Sequence, residues 1–155
     1  MIRSVALSIA VILAGAHGAA GQGACEAGSD RPKVDIAPDP IIFPTPSGAD
    51  FALGWVMSST VTVRINPRGG GRDKLWILCL SSDDFDMGGY GKPLSDLEWQ
   101  LEGTPSWSPV DRSAQLVLQG DGRSDVQLRF RALLFSERDV PGTYDAVLRF
   151  TARKL

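Results

Sequence analysis

Between Asp125 and Leu155 the apolar positions fall on every second residue in two runs. Val126, Leu128, Phe130 and Ala132 form the first, separated by Gln127, Arg129 and Arg131. Tyr144, Ala146, Leu148, Phe150 and Ala152 form the second, opposite Val147, Arg149, Thr151 and Arg153. Strand side chains alternate between faces, so each run predicts a strand with one dry and one wet face. The chain is expected to close with these two strands as a pair, joined across Ser136 to Thr143.

The same period, or its absence, organises the rest. Val61, Val63 and Ile65 alternate with Thr60, Thr62 and Arg64, which predicts a strand over Ser59 to Asn66. Phe51, Leu53, Trp55 and Met57 are in phase and predict another just before it. Lys74 to Ser81 is apolar on both faces, with Trp76, Leu78 and Leu80 on one side and Leu75, Ile77 and Cys79 on the other. Such a run between turn residues suits a central, doubly covered strand, although periodicity alone leaves a buried helix open. Leu97, Trp99 and Leu101 mark a strand in Asp96 to Glu102, and Ser113 to Gln119 a further one. Pro32, Pro38, Pro40, Pro44 and Pro46 exclude a helix or central strand before residue 47, leaving short edge pieces at Val34 to Ala37 and Ile41 to Phe43. Gly69-Gly70-Gly71 and Gly120-Asp121-Gly122 read as turns. The result is an all-β domain of about seven to nine short strands, spaced as in a sandwich or barrel. No segment has a convincing helical period.

The N-terminus does not fit this rhythm. Arg3, the short apolar run Val5 to Ala16 and the small residues Gly18, Ala19 and Ala20 have the form of a cleaved signal peptide over 1–20. The run is shorter than the roughly 20 residues of a membrane span, so no integral membrane segment is expected in the mature chain. The expected division is then 1–20 signal peptide, 21–50 proline- and glycine-rich segment with edge strands, and 51–155 β domain. Export to the periplasm or beyond changes the reading of the two cysteines. In an oxidising compartment Cys25 and Cys79 are expected to form a disulfide. The rival, a lipidated Cys25, has Gln22 where a lipoprotein signal prefers leucine.

Composition mainly excludes. With 155 residues, 43% hydrophobic and 22% charged, the chain is an ordinary globular domain with room for one core. Its formal net charge of -2 gives no basic field for nucleic acid. The single histidine, His17, lies in the expected signal peptide. Loss of that residue removes serine–histidine and cysteine–histidine catalysis and histidine-ligated zinc from the mature chain. Carboxylates remain, but a glycosidase pair needs a defined separation that sequence does not provide. No enzyme activity and no cofactor are expected.

Three features remain as candidate chemistry. Asp83, Asp84 and Asp86 precede Met87-Gly88-Gly89, a loop with calcium-ligand residue types but no complete calcium-loop register; solvated turn acids are the preferred reading, and no metal is assigned. Trp107 sits between Pro105 and Pro109 with serines on both sides and is the candidate ligand contact for a glycan. Trp76 and Trp99 are in phase with core residues and need no such role. Arg129, Arg131, Arg149 and Arg153 would form a basic stripe if the last two strands paired, and read otherwise as charged gatekeepers on a solvated face.

Val140-Pro141-Gly142-Thr143-Tyr144 carries a resemblance. A Pro-Gly-Thr-Tyr turn leading into an alternating final strand resembles bacterial secreted immunoglobulin-like modules, of the spore coat protein U and pilus-subunit type. The resemblance implies an immunoglobulin-like β-sandwich with Pro141, Gly142 and Tyr144 as a structural corner, the tyrosine hydroxyl bonding backbone across the turn. It also implies a structural or assembly protein of the cell envelope or a surface appendage, whose partner, or second copy, meets it along a sheet edge. The alternative function is an extracellular glycan-binding sandwich.

Overall fold

A computed structural model of the chain describes residues 23, 25, 32–67, 75–88 and 91–155. The expected signal peptide and the Gly69-Gly70-Gly71 turn lie outside the described residues. Among these, eleven strands, all paired antiparallel, carry the fold. They are β1 (Lys33–Ala37), β2 (Trp55–Met57), β3 (Val61–Asn66), β4 (Leu75–Ser82), β5 (Asp86–Met87), β6 (Lys92–Pro93), β7 (Leu97–Leu101), β8 (Ser108–Pro109), β9 (Gln115–Asp121), β10 (Ser124–Leu133) and β11 (Leu148–Lys154). The larger sheet runs β1-β3-β10-β7-β8, with β2 added along the end of β10. The smaller runs β11-β4-β9, and β5 pairs with β6 apart from both. Strands β5, β6 and β8 have two residues each, too few for a period to show in the sequence.

The two main sheets share one core. Val61, Val63 and Ile65 of β3, Val126, Leu128 and Phe130 of β10, and Leu97 and Trp99 of β7 meet Trp76, Leu78 and Leu80 of β4. Strand β4 is central to its sheet, and its second face is covered too. Ile77 and Cys79 pack with Cys25 against Ala114 in a separate small cluster, where Cys25 and Cys79 form a disulfide with Cα atoms 6.0 Å apart. Val34, Ile36, Ile41 and Phe43 pack against the main core, so the proline-rich segment shares its apolar interior with the rest.

Four expectations change. First, β10 and β11 do not pair. Both flanks of β10 are taken by β3, β7 and β2, while β11 lies beside β4 in the other sheet. Alternation gives each strand its dry face but not its neighbour. The basic stripe dissolves with the pairing: Arg129 and Arg131 form ion pairs with Glu102 and Glu98 beside them, and Arg149 pairs with Asp83. Second, the strand expected from Phe51 is instead a short helix, α1 (Gly48–Leu53), followed by β2. Ser47 caps it with Asp50 in a reciprocal capping box, and Gly54 closes it in the left-handed conformation. Phe51 and Leu53 are left 41% and 62% exposed, so their alternation was not a buried face. Third, Ile41 to Phe43 pairs with no strand, although Ile41 and Phe43 still reach the core. Fourth, the last strand begins at Leu148 and not at Tyr144, because Tyr144 to Val147 bonds to a loop. Gly88 N–H donates to the Asp145 carbonyl at 2.9 Å, and Val147 N–H donates to Asp84 Oδ2 at 2.6 Å.

Candidate functional site: an apolar groove between two open strand edges

Strand β1 ends the larger sheet and β11 ends the smaller one, and the two strands lie against each other. Among the described residues, no strand pairs with the outer edge of either. Between these edges lies a groove of about 380 Å³. Ile36 of β1 and Ile41 and Phe43 beyond it form one wall, and Ala146, Leu148 and Phe150 form the other. Phe130 and Phe150 meet edge-to-face at its floor, ring centroids 6.5 Å apart. Asp39 and Asp145 stand among the lining residues, and Ile42 and Val147, next to the walls, are 68% and 62% exposed. The arrangement places two strand edges, each without a paired strand among the described residues, beside apolar surface, which is the setting for adding a further strand.

Of the corner residues, Tyr144 lines this groove. Tyr144 is half-buried, and its hydroxyl donates to the Val140 carbonyl four residues upstream, across Pro141-Gly142-Thr143. Tyr144→Phe keeps the ring and removes the donor, which leaves one carbonyl short of a partner. A loss of about 1 kcal/mol is expected from denaturant midpoints; unchanged midpoints would show that the hydroxyl contributes nothing.

The other sequence candidates lie elsewhere. Trp107 is half-buried, with the Arg131 guanidinium 4.4 Å from its ring centroid. One face of the ring is therefore covered by a cation already paired to Glu98. Asp83 and Asp84 are engaged by Arg149 and the Val147 N–H. Among the described residues, no three histidine, cysteine, aspartate or glutamate side chains converge so as to hold a metal ion.

Sequence reasoning missed a second cluster on the far side of Tyr144. Lys92 of β6 has a side chain only 4% exposed, and its Nζ lies 2.5 Å from Asp139 Oδ2 and 3.3 Å from Asp96 Oδ2. Asp96 and Asp139 are 9% and 7% exposed. Arg138 pairs with Asp96, and its Nε is 3.8 Å from Asp139 Oδ1. The rings of Phe135 and Tyr144 lie 5.5 and 5.8 Å from the ammonium. Burial pushes the Asp139 carboxyl up, but hydrogen bonds from Lys92 and the Phe135 N–H, with the charges of Lys92 and Arg138, outweigh it and hold the group below its ordinary value. In the sequence Lys92 follows Gly88-Gly89-Tyr90-Gly91 and reads as part of a solvated loop. Its spacing of four residues from Asp96 was the only available signal.

Compared with protein-family models, curated proteins and solved structures, the chain has no match.

Proposed function

We propose that this is an exported immunoglobulin-like sandwich that serves as a structural or assembly module of the cell envelope or a surface appendage. Assembly proceeds by strand addition in the groove between β1 and β11. The observation that carries the reading is the pair of edges, β1 and β11, that no strand among the described residues covers, with apolar surface between them. Strand order supports the fold assignment. Immunoglobulin sandwiches of the constant type place strands A, B, E and D in one sheet and C, F and G in the other. β1, β3, β10 and β7 follow the first arrangement, and β4 and β11 take the places of C and F. Strand β9 lies on the opposite side of β4, so the place of G beside β11 holds no strand among the described residues. A strand from a second copy or from a dedicated partner would complete that sheet. Export is supported by the signal-like pattern over 1–20 and the Cys25–Cys79 disulfide. Among the described residues, no helix is long and apolar enough to cross a membrane.

Sedimentation velocity over a wide concentration range, together with pull-down from envelope extracts, tests the assembly reading. Concentration-dependent association, or recovery of a strand-supplying partner, is expected. Either should be lost in an Ile42→Lys/Val147→Lys double variant, whose exposed sites tolerate charge in the free protein. A monomer with no partner, retained on a polysaccharide column through Trp107, would replace this reading with glycan binding.

A further inference from the structure

The buried Lys92 cluster is built in a way that an ion pair alone does not require. Its charges balance: two cations, Lys92 and Arg138, face two carboxylates, Asp96 and Asp139. Asp139 is fixed from two sides, by Lys92 Nζ and by the Phe135 N–H at 3.0 Å from Oδ2. Its Oδ1 is buried without a hydrogen bond, 3.8 Å from Arg138 Nε. The lysine nitrogen is thereby held against one carboxyl group, with a second carboxylate within reach of its protons and a cation beside the free oxygen.

We propose that Lys92 and Asp139 condense into an intramolecular isopeptide bond, with Asp96 as the proton carrier. In the first step Asp96 Oδ2 takes a proton from the Lys92 ammonium, which leaves a neutral amine. The amine attacks Cγ of Asp139 and forms the N–C bond, and the negative charge gathered on the carboxyl oxygens faces Arg138. Asp96 then returns its proton to the departing oxygen, and a second proton from the nitrogen completes the water as the C–O bond breaks. One ammonium and one carboxylate thus become one amide and one water, with no oxidant, metal or activating group. The amide keeps one N–H, placed for Asp96 to accept. Arg138 and Asp96 remain as a balanced pair.

Three physical terms favour the reaction. Charges held out of water are costly, and condensation removes two of them. The reacting groups are fixed at contact distance, which replaces a bimolecular encounter by an intramolecular one. The Phe135 and Tyr144 rings beside the nitrogen limit the access of water that would reverse it. The bond would tie β6 to the turn after β10 across 47 residues of chain. This proposal stands independently of the strand-addition reading.

Mass spectrometry of the purified folded protein, unfolded and reduced before injection, provides the test. The wild-type chain is expected to be lighter than its sequence by one water, and a digest should contain a branched peptide joining Lys92 to Asp139. Asp96→Asn keeps both reacting groups, and is expected to give the full sequence mass while retaining the native circular dichroism and the Cys25–Cys79 bond. Should that variant fail to fold, the wild-type branched peptide alone decides the crosslink. A wild-type chain at full mass after prolonged incubation at neutral pH, with Lys92 and Asp139 in separate peptides, overturns the proposal. Crosslinking of Asp96→Asn at the wild-type rate overturns the role given to Asp96.

Discussion

Trp76→Ala is expected to lower the folding free energy by about 3–5 kcal/mol, the range for truncating a large buried aromatic. Trp76 is fully buried on the central strand of the smaller sheet and packs in the core shared by both sheets. Its ring lies flush against β9: a Cβ built on Gly120 would come within 2.5 Å of it. The indole N–H donates to the Gly122 carbonyl at 2.8 Å. The substitution therefore opens a cavity and removes a buried donor in one step. Small domains have only about 5–15 kcal/mol in total, so the variant should unfold at much lower denaturant. The same contact predicts that Gly120→Ala, a change of one methyl, costs about 1–3 kcal/mol by overpacking. Equal denaturant midpoints for Gly120→Ala and the parent would show that β9 moves away freely and that the ring is not held there.

Loss of the crosslink between Cys25 and Cys79 is expected to have a comparable effect. The bond joins residues 54 positions apart, and closing a loop of that size stabilises by about 4 kcal/mol in the chain-entropy model. It also closes the small cluster that covers Ile77, on the face of β4 turned away from the main core. A Cys25→Ala/Cys79→Ala double variant should thus lose stability in two ways, through a freer unfolded chain and through exposure of Ile77. Denaturant unfolding of the double variant against the oxidised parent measures the sum. If the two midpoints coincide, the crosslink contributes nothing to stability, and the small cluster is incidental.

Local chemistry and tertiary placement diverge most clearly at α1. The alternation of Phe51, Leu53, Trp55 and Met57 has the period of a strand, yet Ser47, Asp50 and Gly54 hold the first half in a helix. The capping residues were legible in the sequence, but a six-residue helix is too short to produce a period of its own. Lys92 shows the converse. Nothing local marks it as buried, because its burial depends on Asp139 and Phe135, which arrive from the turn after β10.

Alternation along the chain was enough to assign which residues face the core in β3, β7 and β10, since a period of two assigns faces whatever the neighbour. It also marked the β4 run as apolar on both faces, a pattern that suits a doubly covered strand but also a buried helix; pairing with β9 and β11 is what makes it the central strand. The corner at Tyr144 came from the resemblance carried by Pro141, Gly142 and Tyr144, not from the period. Which strands are neighbours was settled by tertiary contacts, which separated β10 from β11 and put β1 and β11, each at the end of its sheet among the described residues, around an apolar groove. They also gathered Lys92, Asp96, Arg138 and Asp139. The physical reason is common to both: alternation and turn propensity are local, whereas pairing and charge burial depend on groups that only the folded chain brings within reach.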